Sequence, residues 1–496
     1  MFSPTYRRSI TIIGITMLLL FTACSGKQTR SNLVNTTEST SLAVENEKAK
    51  TLAREILKTY MQSENSPPGL SIAISKGGNI VFAEGFGYAN MALKEPVTVD
   101  TKFRAASVSK LMTATAIARL MQEDKINLDV PIQDYVPTFP EKTYPITPRQ
   151  IAGHIGGIPH YSPGDLIEDR FYGSINESLK VFAHQDLLFE PGTEYNYSTH
   201  GYTLLSGAVE GVAGISFLDY LEGHIFKPLK MIATGPDLRN AKVENMTELY
   251  AIDQSGNKSK VEKPEDPSYK WGAGGMVSTP TDLVQLGNGY LNGFIDKETV
   301  KEMFRSQQLK SGEETGVGIG WRRNWDPFGR EIFEHAGWMQ GTRSIVSVFP
   351  QQQLSIAIMC NTQRPYQVEE MAHILAFPFI KNDVANVQPS GEAQVIVTYE
   401  NDENQTKGKG TLVLDGKKGH VVFKTEDSQT ETYPLIYLEA GNLYAMITPD
   451  GILFTQIDLN ENGIMGKVIR YARSPQLTPP KFDNAFITFE GPFNGN

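Results

Sequence analysis

The chain has 496 residues, 40% hydrophobic and 21% charged, with a formal net charge of −10. That balance suits a globular protein with a sizeable core, built as two or three domains or as one large domain with an appendage. No long Lys/Arg run occurs, which argues against nucleic acid as a partner. The two cysteines, Cys24 and Cys360, cannot form a disulfide framework.

The N-terminus reads as a leader rather than as part of the fold. Arg7 and Arg8 precede an apolar stretch, Ile10 to Ala23, too short to span a bilayer comfortably. It ends Phe21-Thr22-Ala23-Cys24-Ser25, which resembles the lipobox of bacterial lipoprotein signal peptides, with Phe21 where leucine is usual. The expectation is a signal peptide over 1–23, lipidation of Cys24, and a Ser/Thr/Asn/Gln-rich tether over 24–45. The protein would then be exported and held by its lipid on the periplasmic side of the cell envelope.

An amphipathic helix is expected over Asn46–Gln62, stopped by Ser66-Pro67-Pro68-Gly69. Strands Leu70–Ser75 and Asn79–Tyr88 flank a hairpin signal, Lys76-Gly77-Gly78. Phe103-Arg104-Ala105-Ala106-Ser107-Val108-Ser109-Lys110 then leads into the apolar helix Leu111–Met121. Further helices are expected at Ile146–Ala152, Leu179–Leu188, Tyr202–Val212, Thr281–Tyr290 and Glu369–Phe377, and strands at Gly341–Phe349 and Gln353–Cys360. Strands at both ends with helices between them imply one mixed α+β domain, 46–380, whose sheet is completed by chain-distant strands. After a polar linker at 381–391, seven short alternating strands separated by Gly/Asp/Asn turns predict a small β-barrel or sandwich over 392–496. Within it, Asp458-Leu459-Asn460-Glu461-Asn462-Gly463 copies the start of a calcium loop, but Ile469 stands at the twelfth position, so a hairpin turn is expected. Cys360, in a strand-like run, reads as a buried, inert thiol.

Ser107 and Lys110 are three residues apart at a helix start, so they share one face. A serine hydroxyl is a poor nucleophile until a base takes its proton, and a lysine serves once desolvation lowers its pKa. A second Ser-x-x-Lys, Ser255 to Lys258, lies in a polar stretch and reads as a loop. No Gly-x-Ser-x-Gly elbow and no His-Glu-x-x-His occur, and the eight histidines show no metal spacing, so no metal or cofactor is expected. His154 and His160 read as structural.

Three stretches occur in a telling order: Phe103 to Lys110, Tyr197-Ser198-Thr199, and His335-Ala336-Gly337. Over about 46–380 the chain resembles the serine β-lactamase and penicillin-binding-protein superfamily. The likeness is greatest to the class C-like branch of DD-peptidases, esterases and mitochondrial β-lactamase-like serine proteases. The resemblance implies an antiparallel sheet flanked by helices plus a helical subdomain. It implies Ser107 as the acylated nucleophile, Lys110 as its activator and Tyr197 as proton relay. The backbone N–H groups of Ser107 and Trp338 would form the oxyanion hole, with Thr199, His335 and Gly337 beside the substrate. Tyr197 would need a neighbouring cation to lower its pKa or share its proton. Thr199 replaces the usual asparagine, and His335 the lysine of true β-lactamases; a histidine is mostly neutral near neutral pH. The expectation is therefore an ester, amide or peptide hydrolase, on D-amino-acid or peptidoglycan-derived substrates, with weak or no β-lactamase activity. The alternative is a catalytically weak envelope protein that binds peptidoglycan fragments or a protein partner.

Overall fold

A computed structural model describes residues 45–161, 170–238, 243–253, 255–380, 389–400, 405–424, 430–461, 463–469, 475, 477–478 and 485–495. The leader, Cys24, the tether to residue 44 and most of the linker lie outside the described residues. Helix α1 covers residues 45–60. Strands β1 (Gly69–Lys76) and β2 (Asn79–Asn90) follow, then a two-residue edge strand β3 (Glu95–Pro96). The β1–β2 turn is the expected hairpin: Gly77 and Gly78 both have positive φ, 56° and 81°, as a two-residue turn matched to strand twist requires.

Helices α2 (Ser109–Gln122), α3 (Thr199–Ala213) and α4 (Pro280–Leu291) precede strands β4 (Arg322–Trp325), β5 (Glu331–Met339), β6 (Thr342–Phe349) and β7 (Leu354–Cys360), and helix α5 (Val368–Ala376) ends this part. The strands form one seven-stranded sheet in the order β3-β2-β1-β7-β6-β5-β4. Leu70 of β1 lies opposite Cys360 of β7, so distant strands do complete the sheet.

Both faces of the sheet are covered, which is why β1 and β7 read as near-continuous apolar runs. With a side-chain period of two, Leu70, Ile72 and Ile74 pack with α1 and α5, while Ala73 joins the core of α2, α3 and α4 on the other side. Cys360 is wholly buried in the first of these layers.

One expected helix differs. Ser174 caps a helix over Ile175–Leu179, and turns follow where Leu179–Leu188 was expected to be helical. The Lys142 ammonium donates to the carbonyls of Ala183 and Gln185, both at 2.6 Å, drawing those groups out of a helical ladder.

The C-terminal region is a barrel, not a sandwich. Strands β8 (Ser390–Glu400), β9 (Gln405–Asp415), β10 (Lys418–Lys424), β11 (Thr430–Tyr437), β12 (Leu443–Thr448), β13 (Gly451–Asn460), β14 (Gly463–Ile469) and β15 (Ile487–Gly491) pair in antiparallel sequence. Closure comes from β8, which pairs with both β9 and β15. The closing strand β15 and a short strand after it, Phe493–Gly495, which also pairs with β8, are not revealed by the sequence pattern. The calcium-like segment is a hairpin turn, with Asn460 opposite Gly463. Tyr444, Met446 and Leu453 point into the barrel, and their neighbours Leu443, Ala445, Ile452 and Phe454 point out. These outward residues share a core with α1 and α5, so the barrel is packed onto the hydrolase-like part rather than tethered to it.

The α5 layer also carries a buried ion pair. His373 Nε2 donates to Glu334 Oε2 at 2.8 Å, while Ser347 Oγ (2.7 Å) and Asn324 Nδ2 (2.6 Å) donate to the same carboxylate. The carboxylate raises the His373 pKa, with Glu370 and Asp326 adding to it, against burial. These donors hold Glu334 below its ordinary value, also against burial. The pair should therefore stabilise most between the ordinary values of 4.5 and 6.5. The His373 contribution is lost as pH rises through its raised value, and the Glu334 contribution as pH falls through its lowered one. Replacing His373 by alanine should cost about 3–5 kcal/mol near pH 6. Thermal unfolding across pH checks this, with the deficit shrinking in alkaline buffer; a deficit independent of pH would contradict it.

Candidate active site

Ser107 sits in a single 3₁₀ turn, Ala106–Val108, that runs directly into α2. Ala106 before it has φ 47°, a left-handed conformation that costs an alanine energy. Neighbouring groups hold it there. Ser344 Oγ donates to Ala105 O at 2.6 Å, Ala105 N to Met276 O at 2.8 Å, and Thr342 Oγ1 to Arg104 O at 2.8 Å. Gly337 of β5 explains how the turn comes so near the strand. A Cβ there would stand 2.6 Å from Ala105 O and 3.1 Å from the Ala106 Cβ.

Lys110, one turn along α2, is fully buried. Its Nζ donates to Ala273 O at 2.7 Å and lies 3.3 Å from Thr199 Oγ1 and 3.4 Å from Ser107 Oγ. Among the described residues no carboxylate pairs with it. Burial first, then the charges of Lys270 and Arg322, push its pKa well below the ordinary lysine value. A neutral amine has two N–H donors and one lone pair. Ala273 O and Thr199 can take the donors, which leaves the lone pair for the Ser107 hydroxyl.

Tyr197 lies across the cleft, with the Lys110 Nζ 4.8 Å and the Arg322 guanidinium carbon 5.0 Å from its ring centre. Its pKa is not lowered. Burial raises it strongly, and Arg322 and the nearby Ser107 hydroxyl offset only part of that. The phenol therefore keeps its proton at rest, and Lys110 is the group of this cluster placed to accept one from Ser107.

Two histidines fix the Tyr197 loop. Ser198 N donates to His154 Nδ1 and Thr199 N to His160 Nδ1, each at 3.1 Å. Accepting these bonds requires an unprotonated Nδ1. Burial keeps both rings neutral, pushing His160 down to about 4. Ser198 Oγ caps α3 by accepting from Gly201 N at 2.9 Å.

In β5 the pleat separates the third stretch. His335 and Gly337 face the Ser107 side, and Ala336 and Trp338 the other. His335 is 1% exposed and lies behind Tyr197, 6.1 Å between ring centres, so it does not line the cleft. It is neutral, mainly through burial, and its Nδ1 donates to Ala336 O at 2.8 Å. The two-residue turn Gln340-Gly341 places Met339 opposite Thr342. Ladder alternation then turns the Trp338 N–H away from β6, onto the open edge of β5 beside Ser107. The Trp338 side chain is 57% exposed at the cleft mouth.

The cleft holds about 660 Å³ and is lined by Ser107, Tyr197, Thr199, Tyr161 and Trp338, together with groups the sequence did not single out: Lys270, Glu265, Arg322 and Arg343. Lys270 is paired with Glu265 at 3.2 Å. Arg322 has no carboxylate partner among the described residues. Trp271 is core, not wall. Ser255 is exposed in a turn, as expected, whereas Lys258 begins a short hairpin strand, and neither lines this cleft.

Comparison with known proteins identifies the family and the fold. The Beta-lactamase family model matches residues 53–377. The human serine beta-lactamase-like protein LACTB, mitochondrial, is 31% identical over 305 residues, covering 47% of this chain and 55% of that protein. The chain thus spans about half the length of the curated relatives it matches. The octameric penicillin-binding protein homologue from Pyrococcus abyssi shares the fold at 21% identity and a TM-score of 0.56, over 88% of this chain and 99% of that one. The D-amino acid amidase from Ochrobactrum anthropi SV3, complexed with L-phenylalanine amide, superposes with a TM-score of 0.53 at 26% identity, over 64% and 91%. With the family model covering well over half its length, the chain belongs to the beta-lactamase family of serine hydrolases.

Proposed function

We propose that the chain is an exported, lipid-anchored serine hydrolase that passes through an acyl-enzyme on Ser107. The observation that carries the reading is Lys110: a fully buried lysine with no counter-ion among the described residues, 3.4 Å from the Ser107 hydroxyl. Such a group is held neutral and serves as a general base. The export and anchoring part of the reading rests on the Ile10–Ala23 stretch and Cys24.

The steps follow from the groups present. Lys110 takes the Ser107 proton as Oγ attacks the acyl carbon. The N–H groups of Ser107 and Trp338 receive the oxyanion, an interaction worth about two to three orders of magnitude per donor. The Tyr197 hydroxyl gives its proton to the leaving group and regains one from the Lys110 ammonium. Water then enters and its oxygen attacks the acyl carbon as neutral Lys110 takes its proton; the bond from that carbon to Ser107 Oγ breaks, Oγ takes the proton back from the Lys110 ammonium, and the acid leaves.

Substrate class follows from charge. His335 brings no cation to the third stretch, but Arg322 of β4, opposite Glu334 and 5.0 Å from the Tyr197 ring centre, does. With no carboxylate partner among the described residues, its guanidinium suits a carboxylate on an amide or peptide substrate. Peptides ending in a free carboxylate, including D-amino-acid and peptidoglycan-derived ones, fit the cleft better than simple esters do.

Three outcomes are expected. Intact mass after a fluorophosphonate probe should show one adduct, absent from Ser107→Ala; a folded wild type without an adduct would sink the reading. Activity against a p-nitrophenyl ester should fall on the acid side as Lys110 protonates and hold level up to pH 10, because Lys110 titrates low and Tyr197 high. A rate that climbs only near pH 10 would remove Lys110 as the base. Arg322→Ala should raise KM about ten- to hundredfold for a peptide with a free carboxylate, the scale of one charged hydrogen bond, and far less for its amidated twin. Equal losses on both would refute the anchor.

A further inference from the structure

One wall of the cleft is made by Gln363 and Tyr366, from the segment between β7 and α5, and by Glu369 in the first turn of α5. Before α5 begins, this segment has no regular structure of its own, so other elements must hold its backbone. From the sheet, the Arg343 guanidinium donates to Tyr366 O and Glu369 Oε2, both at 3.0 Å, to Pro365 O at 3.2 Å and to Gly337 O at 3.3 Å. From the other side the holder is the barrel. Asp450, in the turn between β12 and β13, accepts from Tyr366 N at 3.0 Å and from Gln367 N at 3.3 Å through its carbonyl. The Asp450 carboxylate pairs with Arg364, whose guanidinium lies 4.1 Å from the Tyr366 ring centre. Gly451 completes the junction; a Cβ there would stand 2.8 Å from Gln367 Oε1 and 3.1 Å from its Cβ.

We propose that the barrel is a specificity element of the hydrolase: its Asp450 turn holds the 363–369 wall, and so sets how the cleft receives substrates that extend beyond the reacting bond. A short acyl ester reaches Ser107 and the oxyanion donors and needs nothing from this wall. A linear peptide ester or amide two or three residues long must lie along Tyr366 and Glu369. Because Arg343 ties the same wall to Gly337, next to the Trp338 N–H, a displaced wall misplaces long substrates relative to Ser107 while leaving Lys110 and Tyr197 in position. The inference rests on the reading of Ser107 as nucleophile, and it assigns Asp450 and Arg364 as positioning residues, not catalytic ones.

The test uses the full chain with Asp450→Asn and, separately, Arg364→Gln, which break one ion pair from either side. Each is assayed with p-nitrophenyl acetate and with p-nitrophenyl esters of acetylated di- and tripeptides. The expected result is acetate turnover within about twofold of wild type and a loss of about tenfold or more in kcat/KM for the peptide esters, mostly in KM. The charge-reversed double variant, Arg364→Asp with Asp450→Arg, should recover part of that loss. An unchanged ratio of peptide-ester to acetate activity, with acetate turnover and the Ser107 adduct intact, overturns this proposal alone. A wild type that forms no adduct overturns the parent reading, and this one with it.

Discussion

A lysine buried without a counter-ion among the described residues is the constraint on which the site depends. Taking an ammonium out of water costs far more than a few hydrogen bonds return, so burial pushes the Lys110 pKa down toward the neutral amine. The amine that results needs acceptors for its N–H groups, and these come from Ala273, in the glycine-rich stretch, and Thr199, at the start of α3. Its lone pair is left for Ser107. Three chain-distant segments are thereby assembled around one nitrogen, and the same burial that lowers the Lys110 pKa raises that of Tyr197. Two groups of opposite task are set by one dry environment.

The supporting strand carries a second division of labour. In β5, Glu334 turns into the α5 layer, where His373, Ser347 and Asn324 neutralise and hold it, while the next residue, His335, turns under Tyr197. A single pleat thus anchors the strand on one face and presents it to the Ser107 turn on the other. Gly337 lets the two backbones close to a distance that no side chain would permit.

Much of this was legible in the sequence because it is local. Ser107 and Lys110 are one helical turn apart, Tyr197 immediately precedes a capped helix, and the hairpin at Gly77-Gly78 declares itself by composition. Arg322 and Lys270 could not be found that way. Each is a lone cation with no spacing to a partner, and only the sheet order and the fold of the glycine-rich stretch bring them to the cleft. His335 was read by analogy as a group beside the substrate. Its depth behind Tyr197 follows from strand pleat and packing, which no motif records. The closing barrel strand, Ile487–Gly491, is short, and its assignment depends on partners about a hundred residues earlier. The helix expected to run to Leu188 is ended by the remote Lys142, again a contact invisible to periodicity.

Both sheets are sealed by strands far apart in sequence. Leu70 meets Cys360 in one, and Ile396 meets Glu490 in the other. Neither can be finished while the chain is still emerging, and until then each leaves unpaired edges open to other chains. Because the 363–369 wall is clasped by the Asp450 turn, that wall has all its backbone partners only once the chain has been made through β13. A chain cut short before Asp450 therefore carries Ser107, Lys110 and Tyr197 but lacks one support of the cleft.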